Sequence, residues 1–390
     1  MSLTPHRPMP LRHLKLAALA SLAFAAACGS SNPPPRTESA PPDARDGRAV
    51  VRDSTIRRNA VIENNRPEVS ARAGLLVVAN QQGASATILD ASTLKTVATV
   101  PVGQGPHEVA ISLDGRWAVV TNYGTQAAAG NSLSVIDLAA EAPSVVRTID
   151  LGQYQRPHGA AFVQGGTKVL VTSETSQRLL LVDFISGRID TTMATNGRGS
   201  HMVTVQRDGR RAWTSNVGDG TVTEFDVDTR TTKRTFAVAP NVEGISATPG
   251  GVQVWVGSNT AKTVTIVNGA DAKVLGVLTG FGHPYRVGVS RTGRVALVSD
   301  PASNRIWVFD TGSRRELAQI DLAGQTGVGA PAAKSAPEGI TFDPIADYAY
   351  VTLHGTNQVV ALDLRTRKVA GFGSVGAGPD GIGFSPLVRP

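Results

Sequence analysis

The chain has 390 residues, with 38 Lys and Arg against 31 Asp and Glu and a single Cys. That length supports a sizeable core. The charge is scattered, with no Lys/Arg run of the kind that tracks a phosphate backbone, which argues against a nucleic-acid partner, and one Cys excludes an intrachain disulfide.

The chain opens with Arg7, Arg12 and Lys15, followed by an apolar run from Leu16 to Ala27 that ends in Ala25-Ala26-Ala27-Cys28. Small residues before a Cys fit a bacterial lipoprotein cleavage site, with residues 1–27 as the signal peptide and Cys28 as the lipidated residue. The alternative is an ordinary signal peptide with an incidental Cys. Cleavage leaves 35 basic against 31 acidic residues, a net charge of +4. No other apolar run is long enough to span a bilayer, so a lipid on Cys28 is the expected membrane contact. Gly29, rather than Asp, follows the Cys; the expected location is the periplasmic face of the outer membrane in a Gram-negative host. Residues 28–72 read as a tether, opening Ser30-Ser31-Asn32-Pro33-Pro34-Pro35 and showing no sustained period. Val50, Val51, Val61 and Ile62 could make a short strand laid against the folded domain. The folded part is expected over 73–390.

From there one phrase recurs seven times: Pro106-His107-Glu108-Val109, Pro157-His158-Gly159-Ala160, Ser200-His201-Met202-Val203, Val242-Glu243-Gly244-Ile245, Pro284-Tyr285-Arg286-Val287, Pro337-Glu338-Gly339-Ile340 and Pro379-Asp380-Gly381-Ile382. The second positions lie 51, 43, 42, 42, 53 and 42 residues apart. A period near 42 is that of a four-stranded propeller blade. In the repeat opening at Ser200, the spacing predicts strands His201–Gln206, Arg211–Asn216, Thr221–Asp226 and about Thr232–Val238, with turns at Asp208-Gly209 and Gly218-Asp219-Gly220. The third strands share an ending: Ser134-Val135-Ile136-Asp137, Leu180-Leu181-Val182-Asp183, Thr223-Glu224-Phe225-Asp226, Trp307-Val308-Phe309-Asp310 and Val360-Ala361-Leu362-Asp363. Second strands begin near Leu75, Trp117, Lys168, Arg211, Val252, Arg294 and Tyr348. The first of these has no strand before it, and the last phrase, Asp380 to Ser385, has none after it. The expected fold is therefore all-β: a seven-bladed β-propeller of four-stranded blades whose C-terminal strand completes the first blade and removes the exposed edges.

Val119-Val120-Thr121-Asn122-Tyr123-Gly124 and Tyr350-Val351-Thr352-Leu353-His354-Gly355 resemble the YVTN repeat of a large group of bacterial propellers. Val171-Thr172-Ser173 and Thr214-Ser215-Asn216 are weaker versions of it. The resemblance covers nearly all of residues 73–386. It implies the fold more firmly than any function, because the family is similar to lactonase-like and lyase-like propellers as well as to surface-layer proteins.

Strand direction places His107, His158, His201, His283 and His354 on one face, with Glu108, Asn122, Glu174, Asn216, Glu243, Arg286, Asp300, Glu338 and Asp380. Turns such as Asp114-Gly115 and Thr292-Gly293 serve the other face. The same face receives two insertions, Tyr123–Asn131 and Ala323–Pro337, of the kind that can cover a pocket. If the recurring phrase opens the innermost strand, its second positions form a ring of three His, two Glu, one Asp and one Tyr. A structural reading has each side chain holding its own loop, as repeated loop histidines do. Against it, the residue type varies from blade to blade. His107, His158, His201 and Glu243 form a set suited to zinc, iron or copper.

Two functional readings stay open. One is a binding module for a metal, small molecule or protein, using His107, His158, His201, Glu243, Glu338, His283, Arg286, His354 and Asp380. The other, implied by the resemblance to lactonase-like propellers, is a hydrolase or lyase in which Glu243 or Glu338 acts as base and Arg286 binds a substrate carboxylate. The sequence contains no Gly-x-Ser-x-Gly nucleophile motif near the ring, no phosphate loop and no dinucleotide fingerprint.

Overall fold

Each repeat folds into one antiparallel sheet because its four β-rich runs are separated by residues that favour turns. The computed structural model describes residues 72–163, 165–325 and 334–389. Among them are seven four-stranded sheets. Each innermost strand packs against that of the next sheet, and the contacts continue around the circle to the start. The expected seven-bladed propeller is present. Numbered from the start of the chain, blade 1 holds residues 75–101 and the C-terminal strand, and blades 2 to 7 hold residues 106–150, 157–194, 200–237, 242–278, 286–321 and 337–374.

The ring closes as expected. Strand Pro379–Ser385 pairs with Leu75–Asn80, with Leu76 opposite Phe384 and Val78 opposite Ile382. The second strand of a blade is covered on both faces by neighbouring sheets, which is why its sequence runs apolar instead of alternating. All six residues of Leu75–Asn80 are buried. Core clusters fill the gaps between blades: Leu76, Val78 and Leu89 of blade 1 meet Tyr350, Val359 and Ala361 of blade 7. Outer strands such as Thr96–Pro101 are largely exposed.

The Asp that ends the third strands has a local role. The carboxylates of Asp90, Asp183, Asp226 and Asp310 accept the N–H of the residue three positions on, at 2.8, 2.8, 2.9 and 2.7 Å. They cap the turn to the outer strand.

The recurring phrase forms a β-bulge. In blade 2, Pro106 lies opposite Asn122 and Val109 opposite Val120, so His107 and Glu108 together face Thr121. Blades 1, 3, 4, 5 and 7 show the same two-for-one register. In blade 6 the regular strand starts at Arg286, opposite Ser299. A bulge re-aims side chains, and here it carries the second position to the axis. A hydroxyl steadies it. Thr121 Oγ1 accepts the Glu108 N–H and donates to the His158 carbonyl of the next blade, both at 2.9 Å. Thr172 joins the Gly159 N–H to the His201 carbonyl at 2.8 and 2.6 Å, and Ser215 and Thr352 repeat the pattern. The third position is often Gly because the next blade's backbone is close. A Cβ at Gly159 would lie 2.7 Å from Val203 N, and one at Gly244 would lie 2.7 Å from Tyr285 O.

Several expectations shift. Strand ends move by about one residue: the blade-4 strands are Ser200–Val205 and Thr231–Ala237, and second strands start at Gln253 and Val295. The insertion after Tyr123 forms more of the hairpin and less of a loop. Trp117–Gly124 pairs with Ala129–Asp137 up to Gly124 opposite Ala129, because the extra residues keep the ladder going. Of the other insertion, residues 326–333 lie outside the described residues, as do the leader, Cys28 and the tether up to residue 71.

Candidate functional site

The bulges bring five of the recurring second positions, His107, His158, His201, Glu243 and Asp380, into a circuit of contacts with Arg286, whose guanidinium lies over the ring of the blade-6 second position, Tyr285. The His107 and His158 rings lie 4.4 Å apart between centroids, and the His158 and His201 rings 3.7 Å. His201 Nε2 is 3.2 Å from Glu243 Oε1, which accepts from Arg286 Nη1 at 3.0 Å. Arg286 Nη2 is 3.5 Å from Asp380 Oδ1, and Asp380 Oδ2 is 2.6 Å from His107 Nδ1. Glu338 stands beside this circuit and pairs with His354 Nδ1 at 3.2 Å.

A second set of side chains backs the first. It occupies the position just after the second strand, or in blade 2 the next-to-last residue of the longer strand Trp117–Gly124: Gln81, Tyr123, Glu174, Asn259 and His354, with Val217 and Pro301 in blades 4 and 6. Gln81 Nε2 is 2.8 Å from His107 Nε2. Tyr123 donates its hydroxyl to Glu174 Oε2 at 2.5 Å, and its ring lies 4.5 Å from that of His107. Glu174 Oε1 is 2.5 Å from His201 Nδ1. Asn259 donates to Glu243 Oε2. Sequence reasoning placed Glu174 on this face without linking it to the histidines, and did not single out Gln81 or Asn259. The signal was available, since these residues recur with the blade period immediately after the Val-Thr-Asn ending.

Arg286 crosses the axis. From blade 6 it donates to Glu108 of blade 2, through Nε at 3.1 Å and Nη2 at 2.8 Å, and to Glu243 of the adjacent blade 5. It is only 3% exposed. The guanidinium expected to bind a substrate carboxylate is thus engaged by two carboxylates of the protein itself. Glu243 is equally committed. Burial pushes its carboxyl up, but the bonds from His201 and Arg286 outweigh this and hold it at about 2, too acidic for a general base at neutral pH. Burial raises Glu108 more than Arg286 lowers it. Burial likewise raises Glu338, offset in part by His354. Asp380 ends below the ordinary range because His107 and Arg286 overcome its burial.

The histidines differ sharply. Burial disfavours charge on His201, but the bonds to Glu174 and Glu243 prevail and raise it to about 9. His158 is pushed well below the usual range by burial and then by the neighbouring His201 and His107. It is 1% exposed, and neither ring nitrogen has a hydrogen-bond partner among the described residues. His158, Glu174 and His201 each offer a ligand atom within 4.8 Å of the others. This differs from the expected set of His107, His158, His201 and Glu243: Asp380 and Gln81 engage His107, while Arg286 and Asn259 engage Glu243. The ring of His283 lies 5.9 Å from that of Tyr285, and its backbone N–H donates to Asp300 at 2.8 Å. Asn122 and Asn216 turn into their own blades, each donating to two hydroxyls of the third strand.

Above the imidazoles opens a cavity of about 720 Å³, lined by residues that include Gln81, Gln104, His107, Tyr123, Arg156, His158, His201 and Tyr285. No family model and no curated protein matches the chain. Among solved structures it is similar to hydrazine synthase of Kuenenia stuttgartiensis, with a TM-score of 0.61 and 16% identity over 72% of this chain and 90% of that one. It is also similar to a functionally unknown protein of Desulfotomaculum acetoxidans, with a TM-score of 0.67 and 15% identity over 80% of this chain and 99% of that one. At such identities the likeness shows the propeller fold alone.

Proposed function

We propose that this chain is a binding propeller of the YVTN-repeat type that holds a divalent transition-metal ion on His158, Glu174 and His201, at the floor of the funnel. The observation that carries this reading is His158. A buried imidazole normally satisfies at least one nitrogen. This one leaves both without a partner, held in its neutral form beside a carboxylate and a second imidazole. Neutral imidazole is the form that binds zinc, copper or iron. Three protein ligands leave coordination positions for water or a ligand from the cavity. His201 must give up the proton it holds between Glu174 and Glu243, so binding releases a proton to solvent.

The test is metal analysis of protein purified without a His tag, followed by calorimetric titration with Zn²⁺. The expected result is one equivalent per chain in the wild type and its loss in His158→Ala and Glu174→Gln. Undiminished binding in His158→Ala would reject the site. The hydrolase or lyase alternative draws less support, because Arg286 and Glu243 are spent on each other; it falls back on Glu338 and His354.

The same reading places the propeller outside the cytoplasm, tethered through a lipid on Cys28 at the periplasmic face of the outer membrane. Its support is the Ala25-Ala26-Ala27-Cys28 ending of the leader. Cys28→Ser should leave the membrane fraction; a variant that fractionates like the wild type rejects the anchor.

A further inference from the structure

The floor and the wall of the funnel differ in chemistry. Glu108, Glu243, Glu338 and Asp380 lie around the axis, each within ion-pair distance of an arginine or histidine. Glu174 is tied to Tyr123 and His201. None of these five is among the residues that line the cavity, and no lining residue is acidic among those described. The wall instead carries the side-chain amides of Gln104 and Gln126, those of Gln81 and Gln82 in contact with His107 and His354, three imidazoles and one guanidinium.

That guanidinium is Arg156. Its carbon lies 4.7 Å over the ring of Tyr123, whose hydroxyl is fixed by Glu174. Its backbone is pinned as well: the N–H donates to Gly130 O at 2.8 Å and the carbonyl accepts from Glu174 N at 3.2 Å, with φ at 57°. Among the described residues no carboxylate comes within ion-pair distance of it. An oriented, unpaired guanidinium on a cavity wall is a ready partner for a planar carboxylate, which it can meet with two parallel bonds. Below it lies His158, buried and without a hydrogen-bond partner.

We propose that the cavity binds a small organic anion, with one carboxylate held by Arg156 and the flanking amides and the rest of the molecule directed toward His158 and His201. A volume of about 720 Å³ suits one such molecule. The proposal does not rest on the metal, since Arg156 and the amides stand outside the three proposed metal ligands.

The experiment uses the full folded protein, stripped of metal with a chelator and dialysed. Malonate, succinate and citrate are titrated by calorimetry at fixed ionic strength, with malonamide and succinamide as neutral controls. The expected result is saturable binding of at least one acid at one per chain, and none of the amides. Arg156→Ala should weaken that binding by about tenfold or more, with Arg156→Lys in between. Arg156→Gln gives the same reading if the alanine variant does not fold. No saturable binding of any acid, or wild-type affinity in folded Arg156→Ala or Arg156→Gln, overturns the proposal. Because the titration is run without metal, failure of Zn²⁺ to bind leaves its outcome unchanged.

Discussion

His201 sits with a carboxylate at each ring nitrogen, Glu174 at 2.5 Å and Glu243 at 3.2 Å. This ties stability to pH. The imidazolium is favoured in the fold, with its pKa raised from 6.5 to about 9. Its contribution is therefore full below pH 6.5 and is lost as pH rises through about 9. Glu243 has the opposite sense: lowered from 4.5 to about 2, it contributes above pH 4.5 and loses that contribution as pH falls toward 2. His158, held well below 6.5, costs stability as pH falls under that value, so metal-free protein should melt at its highest temperature near pH 6.5 and lose stability from pH 7 to 10. His201→Gln should flatten the alkaline limb, as melts across that range would show; an unchanged limb would mean that His201 is not the group responsible. The second positions were legible in the sequence because one phrase repeats with one period. Their partners were not, because Glu174 and Asn259 sit in a different strand-to-strand turn, and which ring member each reaches depends on side-chain rotamers. The partner of Arg286 was hidden for the same reason: its position showed that it faces the axis, but not that Glu108 on the far side would accept from it.

The innermost strand works through its bulge and the hydroxyl that spans it. Thr121 serves two blades with one oxygen, accepting from Glu108 N and donating to His158 O. Val has nearly the same shape and neither function. Thr121→Val should leave a buried N–H and a buried carbonyl unpaired, at a cost of about 1–3 kcal/mol, while Thr121→Ser should retain most of the stability. Urea titrations of the two variants check this, and equal losses would mean that packing, not the bond, is at stake. The Thr of the Val-Thr-Asn ending was visible as a repeated letter, and the structure supplies its reason. The bulge was not visible, since a two-for-one register leaves no mark in a pattern that reads apolar on both sides. Blade 5 has Gly257 at the hydroxyl position and lacks this link; there a Cβ would lie 2.8 Å from Pro284 O.

At the scale of the molecule, closure depends on Pro379–Ser385, which brings Ile382 and Phe384 into the core shared by blades 1 and 7 and Asp380 to the axis. Deleting residues 379–389 should abolish the cooperative melt, because two sheet edges open and the axial charges lose a member. A truncated protein that still melts cooperatively within a few degrees of the wild type would contradict this. Seven blades and this closure followed from counting strands. The charge network did not, because it depends on which residues meet across the axis, up to 178 positions apart in sequence. Arg286 joins blade 6 to blade 2 through that bond, from one side of the axis to the other. If an ion sits on His158 and an organic anion above it, as proposed, the anion stands between the ion and the cavity, and an order of traffic follows. The ion would enter first and leave last, and the residence time of the pair would be set by the guest nearest the solvent.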